Sequence, residues 1–442
     1  MPKNGRGSTF RVRPLPILIL AILLLLSGAP GAFAATPAPS GLKSPAQTST
    51  SVFISWNAVS GAPRYRVQYS TKADFSDSTY NRFTTTSTEL RGLKSNTSYY
   101  LRVRVISADG TTNLSPYSAA ITTKTKTAPV IAAVVNPLSV ASYNVKCANC
   151  FAGAANELTW AGRRSAVVAN IKAQMPDVIG IQEASQGWLK DDQRPGGVSQ
   201  FEDLQERLQA AGANYRLTNS KRNNCVKDTT PNLCVYADKG ASQGTKLFYN
   251  ATKVSLVSQG SLALPPDRSH YLAWGIFIQK STNKKFFVGD THLTPGATAD
   301  VHTKQTQAIT AEIKKRNPQN LPVLLTGDLN SHKWTTPRNA PYDVLIAAGY
   351  KDPLGNTYAS DLPSGAATAE KTVGANYDSF NAFKRLANAR NAWGNGTYLD
   401  YIFTSKMRVV EWRTVVNVDS KGNFIGTIPS DHNMVKATVQ LP

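Results

Sequence analysis

Between residues 36 and 126, apolar side chains recur at every second position in short runs separated by turn residues. "PSGLKSPAQTSTSVFISWNAVSGAPRYRVQYS" predicts two alternating strands, with Trp56 on the first and Tyr65, Val67 and Tyr69 on the second. "STELRGLKSNTSYYLRVRVISADG" and "YSAAITTKT" continue the series, so this stretch reads as a small all-β sandwich. "TKTKTAPVIAAVVNPL" (123–138) reads as a linker, taken as 127–138, and the entry to a second unit.

From 139 to 442 the period alternates between strand and helix. "LSVASYNV" predicts a strand, "TWAGRRSAVVANIKAQM" a helix and "PDVIGIQE" a strand. "FEDLQERLQAAG" predicts a helix, "TKLFYNATKVSLVSQG" a strand pair and "AWGIFIQKSTNKKFFVGDTHL" a hairpin. "VHTKQTQAITAEIKKR" is helical, and "LPVLLTGDLN", "TYLDYIFTS" and "HNMVKATVQLP" are strands. This order predicts two packed sheets with helices outside, an α/β sandwich.

The first 34 residues fit neither pattern. Four basic residues without an acid, the apolar "LPILILAILLLL" and the small-residue "GAFA" give the order of a secretory signal peptide, cut after Ala34. The apolar run falls short of the ~20 residues of a spanning helix. The expectation is an exported protein.

Charge is one-sided: 49 Lys and Arg against 28 acids give +21, of which the leader supplies +4. That favours polyanionic partners such as nucleic acid, phospholipid surfaces or acidic glycans, or simply keeps an exported protein in solution. Four cysteines in an exported chain suggest disulfides. Local pairing, Cys147 with Cys150 and Cys225 with Cys234, needs the fewest assumptions among the three connectivities. A four-cysteine zinc site and a CxxC redox site are the alternatives, the first disfavoured by the wide second spacing.

Polar residues then collect at strand ends. Asn144 ends the first strand of the second unit and Glu183 the next; His292 follows "FFVGDT". Asp328 and Asn330 follow "LPVLL", Asp400 interrupts "YLDYIF", and Asp431 with His432 precedes the last strand. An acid inside an aromatic strand is costly to bury unless it is paired or metal-bound. The chain has five histidines, and two fall in this series. Singly, each residue has an ordinary reading as a turn, a cap or a solvated side chain; Asp328 and Asn330 would make an Asx-turn. Two apart, they also point to the same side of an extended backbone.

The first unit resembles a fibronectin type III domain, carried by Trp56, the Tyr-x-Val-x-Tyr stretch and "LKSNTSYYLRVRV". This implies a spacer or an attachment module, for example to a cell wall or matrix. The second resembles the endonuclease/exonuclease/phosphatase family, the fold of deoxyribonuclease I, through "SYNV", "PDVIGIQE", "GDTHL", "TGDLNS", "YLDYIF" and "SDHNMV" in order. Together these imply an N-terminal immunoglobulin-like sandwich and a C-terminal four-layer α/β sandwich.

The second resemblance implies a divalent-metal phosphodiesterase using Mg²⁺, Mn²⁺ or Ca²⁺. Glu183 would be the principal ligand, with Asn144, through its amide oxygen, and Asp431 close by. His432 would act as general base, directly or with Asp328; Asp400 would orient an imidazole; Asn330 would donate to the phosphoryl oxygen; His292 would be an acid or phosphate donor. Such chemistry needs charge offset around a phosphodiester, which hard oxygen ligands supply. Arg163 in "TWAGRR" reaches a phosphate or is a solvated helix residue.

The segment 377–396 interleaves Tyr377, Phe380, Phe383 and Trp393 with Lys384, Arg385 and Arg390. It suits a nucleic acid strand, a membrane interface, or an amphipathic helix with its aromatics packed inward. The expected activity is an extracellular nuclease. The alternatives are a sphingomyelinase-like phospholipid phosphodiesterase and an inactive protein that binds anionic surfaces.

Overall fold

The computed structural model describes residues 36–127, 133–191, 197–220, 242–355, 368–389 and 395–442. The leader, Cys225, Cys234, Arg390 and Trp393 lie outside these residues, as does part of the expected linker.

The N-terminal domain is a two-sheet sandwich. One sheet orders β1 (Lys43–Gln47), β2 (Ser51–Ser55) and β5 (Ser87–Arg91). The other orders β4 (Thr79–Phe83), β3 (Arg64–Ser70), β6 (Ser98–Ile106) and β7 (Ile121–Lys124). Alternation turns Tyr65, Val67, Leu101 and Val103 inward onto Trp56, whose ring meets Tyr65 edge-on at 5.4 Å.

The C-terminal domain begins with β8 (Leu138–Asn144), α1 (Trp160–Gln174), β9 (Val178–Gln182), α2 (Gln200–Ala210) and β10 (Tyr215–Leu217). There follow β11 (Lys246–Asn250), β12 (Val254–Ala263), β13 (Tyr271–Gln279), β14 (Lys284–His292) and α3 (Ala299–Arg316). The last elements are β15 (Val323–Asp328), α4 (Ala340–Ala347), β16 (Lys371–Val373), β17 (Asp400–Ser405), β18 (Arg408–Thr414) and β19 (Val435–Gln440).

They form a seven-stranded sheet, β10-β11-β9-β8-β19-β18-β16, facing a five-stranded sheet, β12-β13-β14-β15-β17. Trp160, Val167, Ile171, Phe201, Leu204 and Leu208 of α1 and α2 cover the outside of the first. Ile309, Ile313 and Leu345 of α3 and α4 join the core of the second. The domain is therefore a four-layer α/β sandwich. Each fully buried side chain of this kind contributes roughly 1.5–3 kcal/mol.

The same alternation builds the site. Along β8, Ala141 and Tyr143 pack toward the helices, so Ser142 and Asn144 fall on the opposite face, toward the second sheet. The layer between the sheets is apolar at Val140, Val178 and Leu324 and turns polar toward one end. There Asp290 accepts from Gln182 at 2.6 Å and from Thr326 at 2.7 Å. Burial pushes the Asp290 carboxyl well above the carboxylate range, and its Oδ1 links the two sheets. Gly180 is required there, because a Cβ would lie 2.1 Å from Thr326 Oγ1 and 2.2 Å from Asp290 Oδ1.

The segment 377–389 holds no helix; it is a chain of turns and single bridges, Tyr377 to Ala389 and Phe380 to His432 among them. Phe383 adopts a left-handed φ of 55° and is buried with Ala387, Phe424 and Ile428. The helical expectation fails because short-range alternation of aromatic and basic residues also suits a turn-rich loop whose aromatics fill their own small core.

Candidate active site

One row of residues crosses three neighbouring strands at the polar end of the second sheet. His292 of β14 stands opposite Asp328 of β15, which stands opposite Asp400 of β17. Gly327 lets β15 approach here; a Cβ on it would lie 2.5 Å from the Thr291 carbonyl oxygen. Asp328 and Asp400 are each about 1% exposed. Two buried carboxylates facing each other require a cation.

His432 supplies it. Its Nδ1 lies 2.8 Å from Asp400 Oδ2 and its Nε2 3.7 Å from Asp328 Oδ2. Burial alone would lower its pKa, but Asp400 and Asp328, with Asp431 adding to them, push it up to about 10. Burial and the Asp328 charge raise the Asp400 carboxyl, against which the imidazole works. We assign the pair as imidazolium and carboxylate, since Asp328 also faces the ring. His292 Nε2 approaches the same Asp328 oxygen at 3.7 Å, placing that oxygen between two imidazoles.

Glu183 and Asn144 complete the cleft from the first sheet. Asn144 Nδ2 donates to Glu183 Oε1 at 2.9 Å and to Asp328 Oδ2 at 3.1 Å, linking the two sheets. Glu183 has a left-handed φ of 61°, and its Oε2 accepts from the Cys147 amide at 3.1 Å. Burial disfavours its charge, yet the His292 ring and the hydrogen bonds from Asn144 and Cys147 outweigh that and hold the carboxyl below its ordinary value. Asp431 lies 3.5 Å from Lys146 Nζ.

Several expectations need correction. Asn144 Oδ1 accepts the Lys146 amide at 3.0 Å, so the amide nitrogen, not the oxygen, meets the carboxylates. Asn330 does not extend beside Asp328: its φ is 46°, and its amide donates to Asp328 Oδ1 at 2.9 Å, which is an Asx-turn. Its Nδ2 donates one hydrogen to the Leu293 carbonyl at 2.9 Å, and an amide nitrogen carries two.

Arg163 is 1% exposed and reaches no cleft. It donates to the carbonyls of Val145 at 2.6 Å, Lys146 at 2.6 Å and Pro429 at 3.0 Å, tying α1 to the two loops that carry Lys146 and Asp431. Three inward carbonyls at a helix face bind a buried guanidinium more readily than solvent does. Arg385 is exposed but spends two donors on the carbonyls of Phe424 and Gly426, at 2.9 and 2.6 Å; Lys384 is exposed beside it. Phe383, buried, offers nothing to a membrane interface.

The structure adds residues the motifs did not mark. Ser379 Oγ accepts from the amides of Leu399 and Asp400, at 2.9 and 3.2 Å, and fixes the start of β17. The Phe380 ring, which the sequence had marked only as one of the aromatics of 377–396, stands edge-on to His432 at 4.9 Å. His270 meets His292 edge-on at 5.5 Å on the wall of a polar cavity shared with Glu183, Asn149 and Gln186. The scarcity of histidine was the one available signal for His270. Cys147 and Cys150 form a disulfide in the loop that serves Glu183.

The model of the endonuclease/exonuclease/phosphatase family matches residues 141–432, and that of the fibronectin type III domain residues 37–123. The chain belongs to the endonuclease/exonuclease/phosphatase family. Members of this family hydrolyse phosphoester bonds. No curated protein matches the chain.

Among solved structures, a family protein from Bacteroides thetaiotaomicron is 20% identical, with a TM-score of 0.48, over 69% of this chain and 97% of its own. A mannosyl-6-phosphatase from the same organism is 21% identical, with a TM-score of 0.49, over 68% and 99%. The human Nocturnin catalytic domain is 16% identical, with a TM-score of 0.44, over 70% and 94%.

The family uses divalent metals. Glu183 fits one: it is an ionised hard-oxygen donor with lone pairs beyond the two hydrogen bonds it accepts. Asp328, Asp400 and His432 also bring ligand atoms within 4.8 Å of one another. The 2.8 Å Asp400–His432 contact is a hydrogen-bond distance, which makes that trio a proton-handling group.

Proposed function

We propose that this protein is an exported, divalent-metal-dependent phosphodiesterase that cleaves nucleic acid. The observation that carries the reading is Asp328, held between the imidazoles of His292 and His432 and joined through Asn144 to Glu183. A bound Mg²⁺, Mn²⁺ or Ca²⁺ would be held by Glu183, with Asp431 as the other carboxylate, and would offset charge on the phosphoryl oxygens.

The base role moves to Asp328. His432, raised to about 10, enters neutral solution already protonated, so it donates to a phosphoryl or leaving oxygen instead of accepting a proton. Asp400 keeps that charge in place. Asn330 has a second amide hydrogen for the phosphoryl oxygen, and His292 stands where it can donate to phosphate. The leader-like N-terminus supports export, and +21 favours a polyanionic substrate.

The test is incubation with plasmid DNA, RNA, sphingomyelin vesicles and a chromogenic phosphodiester, with and without Mg²⁺. Metal-dependent cleavage of DNA or RNA is expected. Turnover of sphingomyelin alone would replace the nuclease reading with a phospholipid one. Inertness toward all four, beside tight DNA binding, would leave a binding protein.

A further inference from the structure

The fibronectin type III domain carries a feature that a spacer does not need. Because Tyr65, Val67, Leu101 and Val103 point into its core, Arg66, Arg102 and Arg104 point outward from the four-stranded sheet, and the exposed Arg82 joins them. The register sets Arg82 of β4 opposite Arg66 of β3, and Arg66 opposite Arg104 of β6. Strands spaced ~4.8 Å apart put these three side chains in a row about 10 Å long.

Like charges directly opposite destabilise a sheet. Nothing in the sheet relieves them: β3, β4, β6 and β7 contain no Asp or Glu. Among the described residues, no carboxylate pairs with Arg66, Arg82, Arg102 or Arg104.

Rings hold these cations in place. Arg66 lies 4.6 Å and Arg82 5.5 Å from the centroid of Tyr80, which is 47% exposed. Arg102 and Arg104 lie 4.1 and 3.4 Å from the centroid of Tyr117. Arg66 also donates to Asn113 Oδ1 and to the Gly110 carbonyl, both at 3.2 Å, and Arg102 Nε to Gln68 Oε1 at 2.8 Å, while Arg82 stands exposed. The result is a fixed, acid-free strip of guanidinium groups with an aromatic face beside it.

We propose that this strip is a second nucleic-acid-binding surface, which holds the phosphates of a single-stranded segment while Tyr80 stacks on a base. The choice of partner rests on the nuclease reading above. It is favoured over an acidic glycan because an exposed ring among arginines offers a stacking surface that nucleobases use.

The test uses the full chain in chelator, a fluorescein-labelled oligothymidylate and anisotropy across a salt series. Arg66→Gln/Arg82→Gln/Arg104→Gln should weaken binding at low salt by about tenfold or more and lower the salt slope by about two, at roughly 0.7 per phosphate. The single exposed change Arg82→Glu, which spares the packed stems, should move both quantities in the same direction. Turnover of a small chromogenic phosphodiester should stay at the wild-type level in both variants.

Unchanged affinity and slope in both variants would overturn the proposal, as would a loss confined to a sulfated glycan. If the wild type cleaves no nucleic acid yet its binding still depends on these arginines, the catalytic reading falls and the surface stands. If cleavage is robust and binding ignores the arginines, the reverse holds.

Discussion

His432 Nδ1 lies 2.8 Å from Asp400 Oδ2, while Asp400 itself stands directly across the sheet from Asp328. An imidazolium between two buried carboxylates satisfies all three, and removing any one leaves an uncompensated charge. Breaking such a buried group costs about 3–5 kcal/mol. The arrangement is therefore both a stability device and a proton-handling one.

Asp400→Asn should lower turnover by about 100-fold or more, the scale of a lost acid–base group. The sign for His432 follows from its raised value. Its stabilisation is fully present below about 6.5 and is lost as pH rises through about 10. NMR titration of the His432 ring in metal-free protein should show it protonated across the neutral range, and Asp400→Asn should bring its midpoint down. A wild-type midpoint below neutrality would return the base role to His432.

Chelation should abolish turnover, and Mg²⁺, Mn²⁺ or Ca²⁺ should restore it. Glu183→Gln should mimic the chelated protein and keep its fold, because its amide oxygen still accepts one of the two hydrogen bonds, from Asn144 or from Cys147. Calorimetric titration with metal should show the site lost in that variant. Full activity after exhaustive chelation would exclude the metal-assisted reading.

A chain starting just before Leu138 should keep hydrolysis of a small soluble phosphodiester, and residues 36–126 alone should fold and be inert. The two domains have separate apolar cores, and every residue of the candidate site lies beyond β8's first residue. A folded but dead truncation would show that the first domain contributes to the chemistry.

Asp352 gives a pH signature. It is buried, and burial pushes its carboxyl up to about 7. The folded state thus holds a proton that the unfolded chain releases near 3.8, so stability falls as pH rises from about 4 to about 7. Asp352→Asn keeps an oxygen for the Leu354 amide, 3.1 Å away, and removes that slope. Its melting temperature should exceed wild type by several degrees near pH 8 and match it near pH 4. Parallel pH curves for the two proteins would refute the assignment.

The sequence by itself determined the two domains, most of the strands and helices, and the residue types at the strand ends. These are local or ordered signals: period-two alternation, helical period, and short motifs in a fixed order. Local pairing of Cys147 with Cys150 was the simplest of the three connectivities that the sequence allowed, and the structure forms that bond.

Tertiary structure decided what each polar residue faces. The row His292–Asp328–Asp400 exists only through strand register between segments more than thirty residues apart, which no local pattern encodes. Register also aligned the three arginines of the first domain. Arg163 read as a surface residue because a helix face does not announce which loops will press three carbonyls against it. The protonation of His432 likewise depends on carboxylates from two distant segments, Asp328 and Asp400, meeting it in one buried place, since charge interactions follow distance in space and not along the chain.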